Sequence, residues 1–582
     1  MLWDHIFAFP RCAIRMAPVS EKEIKFWHAA CELSVELRAI AVATKPLQEF
    51  FSMSSLPTNL DALMRSISKA KRRRWTLCVL ALFAVCASEG LPVDIQSSVI
   101  AAENDDPIFQ AMQAKAADVA SKPYEASHEL PEQLKDLNYD TYRLIAFEHE
   151  KSIWKPEGLP FWMELFHRGY IYRDEVQVYL LPPDSTSVEA AQRLDFDPSR
   201  FQYRGELDGL KPPKDLGYAG LKVIGKFPNS KHPLEIASFL GASYFRAISP
   251  GQFYGTSSRG LAVDIGLAKP EEFPVFREFW VEQPKADSKE FRVWALMESP
   301  SVTGAYAFVI HPDETMTIDV NAKLHFRKVP EKVGLAPLTS MWMWGLGKEG
   351  PENDPRPRVH DADSLLIQTG ENSWIRRSLN RLDFPSLSNY DAKELHGFGL
   401  MQSERSPARY NDDEAKYSLR PSVWITPSEP WRDGTVQLLE LPSDHEGIDN
   451  IGAYWVAKQP VAIDKPIELE YEIAFLHQAP KQHSLAKVTD FRVERSDKSS
   501  LSLTVVFQGD NLSTLPTERQ LLSQIEVQRG SAQEVVVRRT ALNTVEVSCK
   551  LIPDGPYAME MEVILKVEDE LLSESWRYLC PI

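Results

Sequence analysis

The feature that most constrains this chain is the recurrence of short segments in which apolar and polar residues alternate, each ended by Pro, Gly, Asp or Asn. Val176-Gln-Val-Tyr-Leu-Leu181, Phe291-Arg-Val-Trp-Ala-Leu-Met297, Ala305-Tyr-Ala-Phe-Val-Ile310, Met316-Thr-Ile-Asp-Val-Asn-Ala-Lys-Leu324 and Val436-Gln-Leu-Leu-Glu-Leu441 return at short spacing. Successive side chains of a strand point to opposite faces, so this alternation buries one face and wets the other. The 41 prolines of the chain argue against a helical protein, because Pro breaks a helix interior. The fold expected is all-β. Helical signals are confined to Ile108–Ala120, the neighbourhood of Pro131 to Leu137, and Pro233-Leu-Glu-Ile-Ala-Ser-Phe-Leu240, while Tyr139 to Phe147 alternates like a strand.

At 582 residues the chain exceeds what one core usually organises. Around Ala479 to Lys498 the aromatics thin out and the composition turns polar, as at a linker. Beyond it, Leu501-Ser-Leu-Thr-Val-Val-Phe507, Ser523 to Gln528, Glu534 to Arg539 and Met559 to Val567 alternate with the rhythm of an immunoglobulin-like sandwich. Near the other end, Lys69-Ala-Lys-Arg-Arg-Arg74 precedes the apolar run Trp75 to Ala87, the grammar of a secretory signal. The organisation expected is a mis-assigned start or extension over 1–63, a signal peptide over 64–87, a large β domain over 88–480, a linker over 481–498 and a small β domain over 499–582. Arg73-Arg74 before Trp75 leaves twin-arginine and Sec export both open. After residue 100 no stretch approaches the roughly 18 unbroken apolar residues of a membrane span.

Charge and cysteines narrow the function class. The whole chain carries a net charge of −17, and residues 1–87 hold more basic than acidic side chains, so the exported part is more acidic still. Such a surface repels nucleic acid and anionic lipid but admits a neutral substrate. Of six cysteines, Cys549 and Cys580 alone lie beyond the signal. In an exported chain they point to one disulfide, with two buried thiols as the alternative.

Six of the 14 tryptophans (Trp342, Trp344, Trp374, Trp424, Trp431 and Trp455) fall between residues 341 and 455. Both a carbohydrate cleft and a large β core need that density. Among them lie two acidic motifs, Arg356-Pro-Arg-Val-His-Asp361-Ala-Asp363-Ser-Leu365 and Asp449-Asn-Ile-Gly-Ala-Tyr-Trp455. Gly345-Leu-Gly-Lys-Glu-Gly350 matches a dinucleotide pattern formally, but Pro351-Glu-Asn-Asp-Pro-Arg-Pro follows where a helix is required. His360-Asp-Ala-Asp363 lacks recurring metal-ligand spacing, and no GxSxG elbow occurs, so no metal or cofactor is expected. What remains is acid and base work by carboxylates. Glycosidic hydrolysis needs one protonated acid at the leaving oxygen and one ionised carboxylate to activate water or attack carbon. Asp361, Asp363 and Asp449 are the candidates.

From about Ile108 to its end the chain resembles the periplasmic glucan biosynthesis proteins G and D. The resemblance runs through Ser249-Pro-Gly-Gln-Phe-Tyr-Gly255 to Asp264, Glu271 to Trp280, Ser301 to Tyr306, Ala336 to Met341, Arg356 to Leu365, His396 to Gln402, Leu419 to Trp424 and Asp449 to Trp455. It implies a large mutarotase-like β-sandwich followed by a small immunoglobulin-like one, a periplasmic location, and a role in making osmoregulated glucans with a β-1,2-linked glucose backbone. D-like members imply an inverting endo-β-1,2-glucanase, with Asp449 as general acid and Asp361 on the base side. G-like members imply a non-catalytic glucan-binding assembly factor beside a membrane glucosyltransferase. A mutarotase-like epimerase is a more distant reading. Inversion asks for carboxyls roughly 6.5–9.5 Å apart, or farther with a relaying hydroxyl. Aromatic faces stack on sugar rings and charged groups bind their hydroxyls, which makes Tyr306, Trp342, Trp344, Trp424 and Trp455 the expected platform, with Arg259 and Arg358 as polar partners. The loop from Trp342 to Pro351 departs from the family pattern.

Overall fold

The computed structural model describes residues 106–582, apart from Gln482, Lys498 and Thr517. The expected extension, the signal peptide and the four cysteines before Ser88 lie outside the described residues. Asp106 caps the one long described helix, Pro107–Ala120, by accepting from the Phe109 N–H at 2.9 Å. Its second oxygen accepts from Trp294 Nε1 at 2.7 Å. One charge thus satisfies a helix end and ties it to the strand beneath. Ile108, Phe109, Met112 and Ala116 face inward onto Trp294, Leu296, Ala305 and Ala307.

The body is an all-β sandwich of two extended sheets. A ten-stranded sheet runs Trp162–His167, Tyr218–Gly225, Leu234–Leu240, Tyr244–Ala247, Ser257–Arg259, Val333–Ser340, Ile451–Ala457, Trp431–Glu440 and Ser386–Leu395, with Leu261–Val263 beside Val333–Ser340. A 15-stranded sheet includes, in spatial order, Ser364–Gly370, Gly397–Met401, Ser422–Pro427, Ile467–Leu476, Met316–Phe326, Val302–Pro312, Phe291–Glu298, Val275–Glu282 and Gln177–Leu181. Met316–Phe326 shows why the alternation folds this way. Met316, Ile318, Val320, Ala322, Leu324 and Phe326 are all buried while the residues between them are not, and Ile318 pairs with Ile310 on one side and Ile473 on the other. Such residues share one core with Val223, Phe239, Leu338 and Trp455 of the facing sheet.

Local signals were overridden in two places. Leu234–Leu240, expected as a helix, is a strand with Ala237 opposite both Val223 and Ala247; a neighbour on each side supplies hydrogen bonds and cover that outweigh its helix propensity. Tyr139–Tyr142, expected to begin a strand, is a helical turn capped by Asn138, and the strand is only Ile145–Phe147.

In the C-terminal part, Lys487–Arg495, Leu501–Gln508, Thr544–Pro553 and Gly530–Ala541 form a four-stranded sheet. Lys487–Arg495 falls within the polar stretch expected as a linker. It packs Phe491 inward against Trp576 and Tyr578. The opposing layer, Leu522–Gln528, Met559–Val567 and Ser575–Cys580, continues the 15-stranded sheet, because Ser575–Cys580 pairs in parallel with Ser373–Ser378. The expected disulfide is not formed: Cys549 and Cys580 are buried free thiols. They sit on strands of different sheets, so they are not the neighbours in one sheet that their strand-like contexts invited.

Candidate active site

Strand Val333–Ser340 delivers the chain to Met341 and the ribbon Trp342–Trp344, and the two acidic motifs converge there. Trp342 pairs with His360, and the N–H of the next residue, Asp361, donates to Met341 O at 2.8 Å. From the other side, the Asn450 N–H donates to Ser340 O at 3.0 Å. The Asn450 side chain accepts from the Trp342 N–H at 2.8 Å and donates to Trp342 O at 2.9 Å and Leu441 O at 3.0 Å. Asp449 precedes this clamp directly. Asp361 is therefore fixed to this short segment by its own backbone bond, and Asp449 through the Asn450 that follows it.

Two arginines serve the pair. Arg420 Nη1 lies 2.5 Å from Asp361 Oδ1, and its guanidinium is held by donation to Ala415 O and by the Tyr417 ring 4.6 Å away. Arg246, on Tyr244–Ala247, donates from Nε to Ser257 Oγ at 2.7 Å and places its charge in the field of both aspartates. Burial pushes Asp449 up to about 6, against the pull of Arg246; the Asp361 charge raises it further and Thr339 opposes. Burial also raises Asp361, opposed by Arg420 and Arg246. The asymmetry is that Asp361 has a direct arginine partner, whereas Asp449 Oδ2 is buried with no hydrogen-bond partner among the described residues. Such a pair can hold a proton on Asp449 and a charge on Asp361.

The surrounding loops are locked by Arg356, which reaches Asp354 at 2.7 Å, Asp412 at 3.0 Å and Glu446 at 2.7 Å. Tyr417 OH donates to Glu446 at 3.2 Å. Glu446 leads into Asp449 and Tyr417 into Arg420, so this cluster joins both halves of the site.

The five aromatics expected as the platform are interior side chains, Trp342 and Trp344 within the ribbon that anchors the site. Tyr306, Trp342, Trp344, Trp424 and Trp455 are all buried, and their faces are covered by protein. Tyr306 OH donates to Gly260 O at 2.9 Å and Trp344 Nε1 to Arg356 O at 2.8 Å. Trp424 lies across Gly397 and Trp455 across Gly434, where a Cβ would come within 2.4 Å and 2.3 Å of the indole. These rings fill the space that cross-strand glycines leave. Arg259 is buried against Glu271 at 2.5 Å and between Tyr244 and Phe273, which occupies it structurally. Arg358 is buried beside His360, with Glu404 3.7 Å away. Asp363 accepts from Ser364 Oγ, Ser403 N and Ser403 Oγ, fastening a turn.

Arg246, Arg420, Thr339 and Asn450 escaped the sequence reading as site residues. Arg420, Asn450 and Thr339 carried a signal, since each lies inside a motif singled out above; Arg246 is an unremarkable strand residue. The family model described as periplasmic glucan biosynthesis protein, MdoG, matches residues 108–580, a span that contains every residue of this site. The chain belongs to the MdoG family of periplasmic glucan biosynthesis proteins.

Proposed function

We propose that this chain acts in the periplasm as an inverting endo-β-1,2-glucanase on the glucan backbone. Asp449 is the general acid and protonates the leaving glycosidic oxygen; Asp361 is on the base side and takes the proton from the attacking water, directly or through a substrate hydroxyl. The observation that carries this reading is the unequal environment of two carboxylates brought to one short ribbon, Asp449 pushed up to about 6 with an unpartnered oxygen and Asp361 held by Arg420. Divergent environments are how two like carboxyls take opposite roles.

The test is oligosaccharide release from linear β-1,2-glucan. The wild-type protein should liberate reducing ends with inverted anomeric configuration and Asp449→Asn should not. Equal silence of both would favour the non-catalytic assembly factor beside a membrane glucosyltransferase, and equal activity would move the acid elsewhere.

A further inference from the structure

The aromatics that could stack on sugar by sequence are buried, yet a ring beside the Leu419–Arg420 backbone is open. Phe253 keeps 43% of its surface exposed and Leu419 37%. Exposed apolar side chains scattered singly need no explanation. These two are not scattered: the Phe253 N–H donates to Leu419 O at 3.1 Å, and Leu419 directly precedes Arg420, the partner of Asp361. Two residues after Phe253, a Cβ on Gly255 would stand 2.9 Å from Arg420 Cβ, so this backbone rests on the arginine stem. The apolar pair therefore adjoins the site.

The backbone leading to Phe253 is anchored. Gln252 Oε1 accepts from the Ser249 N–H at 2.8 Å while Gln252 Nε2 donates to Leu476 O at 3.0 Å, and Ser249 Oγ donates to Phe475 O at 2.5 Å. Lys416, in the left-handed region (φ 51°), carries its ammonium over the Phe253 ring, 5.1 Å from the centroid. A ring on an anchored backbone, an aliphatic neighbour and a cationic donor match the chemistry of a pyranose, whose axial C–H face seeks an apolar surface and whose rim hydroxyls seek donors. A preorganised platform loses little entropy on binding.

We propose that Phe253, Leu419 and Lys416 form a glucose-binding subsite at the rim of the Asp361–Asp449 site, Phe253 stacking on one residue of the glucan and Lys416 donating to its hydroxyls. This rests on the reading of that site as glucan-binding. The experiment measures calorimetric binding of linear β-1,2-glucan to the full chain carrying Asp449→Asn, so that turnover does not interfere. Adding Phe253→Ala should weaken binding about tenfold, whereas Phe253→Trp should retain it and report glucan by a change in indole fluorescence absent from the Asp449→Asn protein. If the Asp449→Asn protein binds and Phe253→Ala binds equally well, the subsite is overturned and the site survives. The same holds if the Phe253→Trp fluorescence ignores saturating glucan. If the Asp449→Asn protein does not bind at all, both readings fall. An unchanged melting temperature for Phe253→Ala, expected of an exposed side chain, separates lost stacking from lost folding.

Discussion

At the scale of single residues, Asp449 carries the sharpest consequences. A general acid works only while protonated, so hydrolysis should fall as pH rises through about 6, the value to which burial pushes Asp449; a pH profile of kcat/KM checks this. The stability effect has a defined sign. The folded state holds this proton more tightly than the unfolded chain, so ionising Asp449 destabilises the fold, and stability contributed by the protonated form is lost as pH climbs from the ordinary carboxyl value of 3.8 through about 6. Asp449→Asn should remove that penalty and melt higher than wild type at pH 8, by at most about 3 kcal/mol, while losing about 10²–10⁴ in kcat. Arg420 is the converse case: Arg420→Ala strands Asp361 in the interior and should cost on the order of 3 kcal/mol along with activity, read by chemical denaturation. The acid motifs were legible as residues, but their roles were not, because a role depends on burial and on Arg246 and Arg420, which lie far off in sequence.

At the scale of elements, the site depends on how one short ribbon is held. Asn450 satisfies both backbone groups of Trp342 and a carbonyl of the following strand's partner loop at Leu441. Asn450→Ala should leave those groups unpaired, costing about 3 kcal/mol, and should depress kcat more than it raises KM, since Asp449 and the Trp342 ribbon lose their common anchor; thermal melts and steady-state kinetics together test this. Long alternating strands such as Met316–Phe326 were readable because one face is core and the other is not. Leu234–Leu240 was misread because a strand covered on most sides has no alternation to display. The burial of Trp424 and Trp455 was hidden for a related reason: a cross-strand glycine such as Gly397 or Gly434, against which an indole packs, is invisible until the register is known.

At the scale of the molecule, the C-terminal strands are built into the larger sheet. Besides the parallel pairing of Ser575–Cys580 with Ser373–Ser378, Trp576 Nε1 donates to Ser378 Oγ at 2.9 Å, and buried Glu574 joins Arg376 at 2.6 Å and His483 at 2.8 Å. Calorimetry of residues 106–582 should accordingly show one cooperative transition, and truncation after residue 480 should uncover the edge of Ser373–Ser378 and aggregate. Although burial pushes Glu574 up, Arg376 and His483 hold it down to about 2. Its contribution is complete above the ordinary value of 4.5 and is lost as pH falls through about 2, so Glu574→Gln should lower stability by on the order of 3 kcal/mol at pH 7 and flatten the acid limb of the unfolding curve. Alternation and motif order are local properties of the chain, so the all-β class, the family and the two acidic motifs could be read before any fold was known. Burial and charge pairing exist only once distant segments meet, so it took the fold to bury Trp342, Trp344, Trp424 and Trp455, to leave Cys549 and Cys580 unbonded, to extend the main sheet with the C-terminal strands and to divide the aspartates between two arginines.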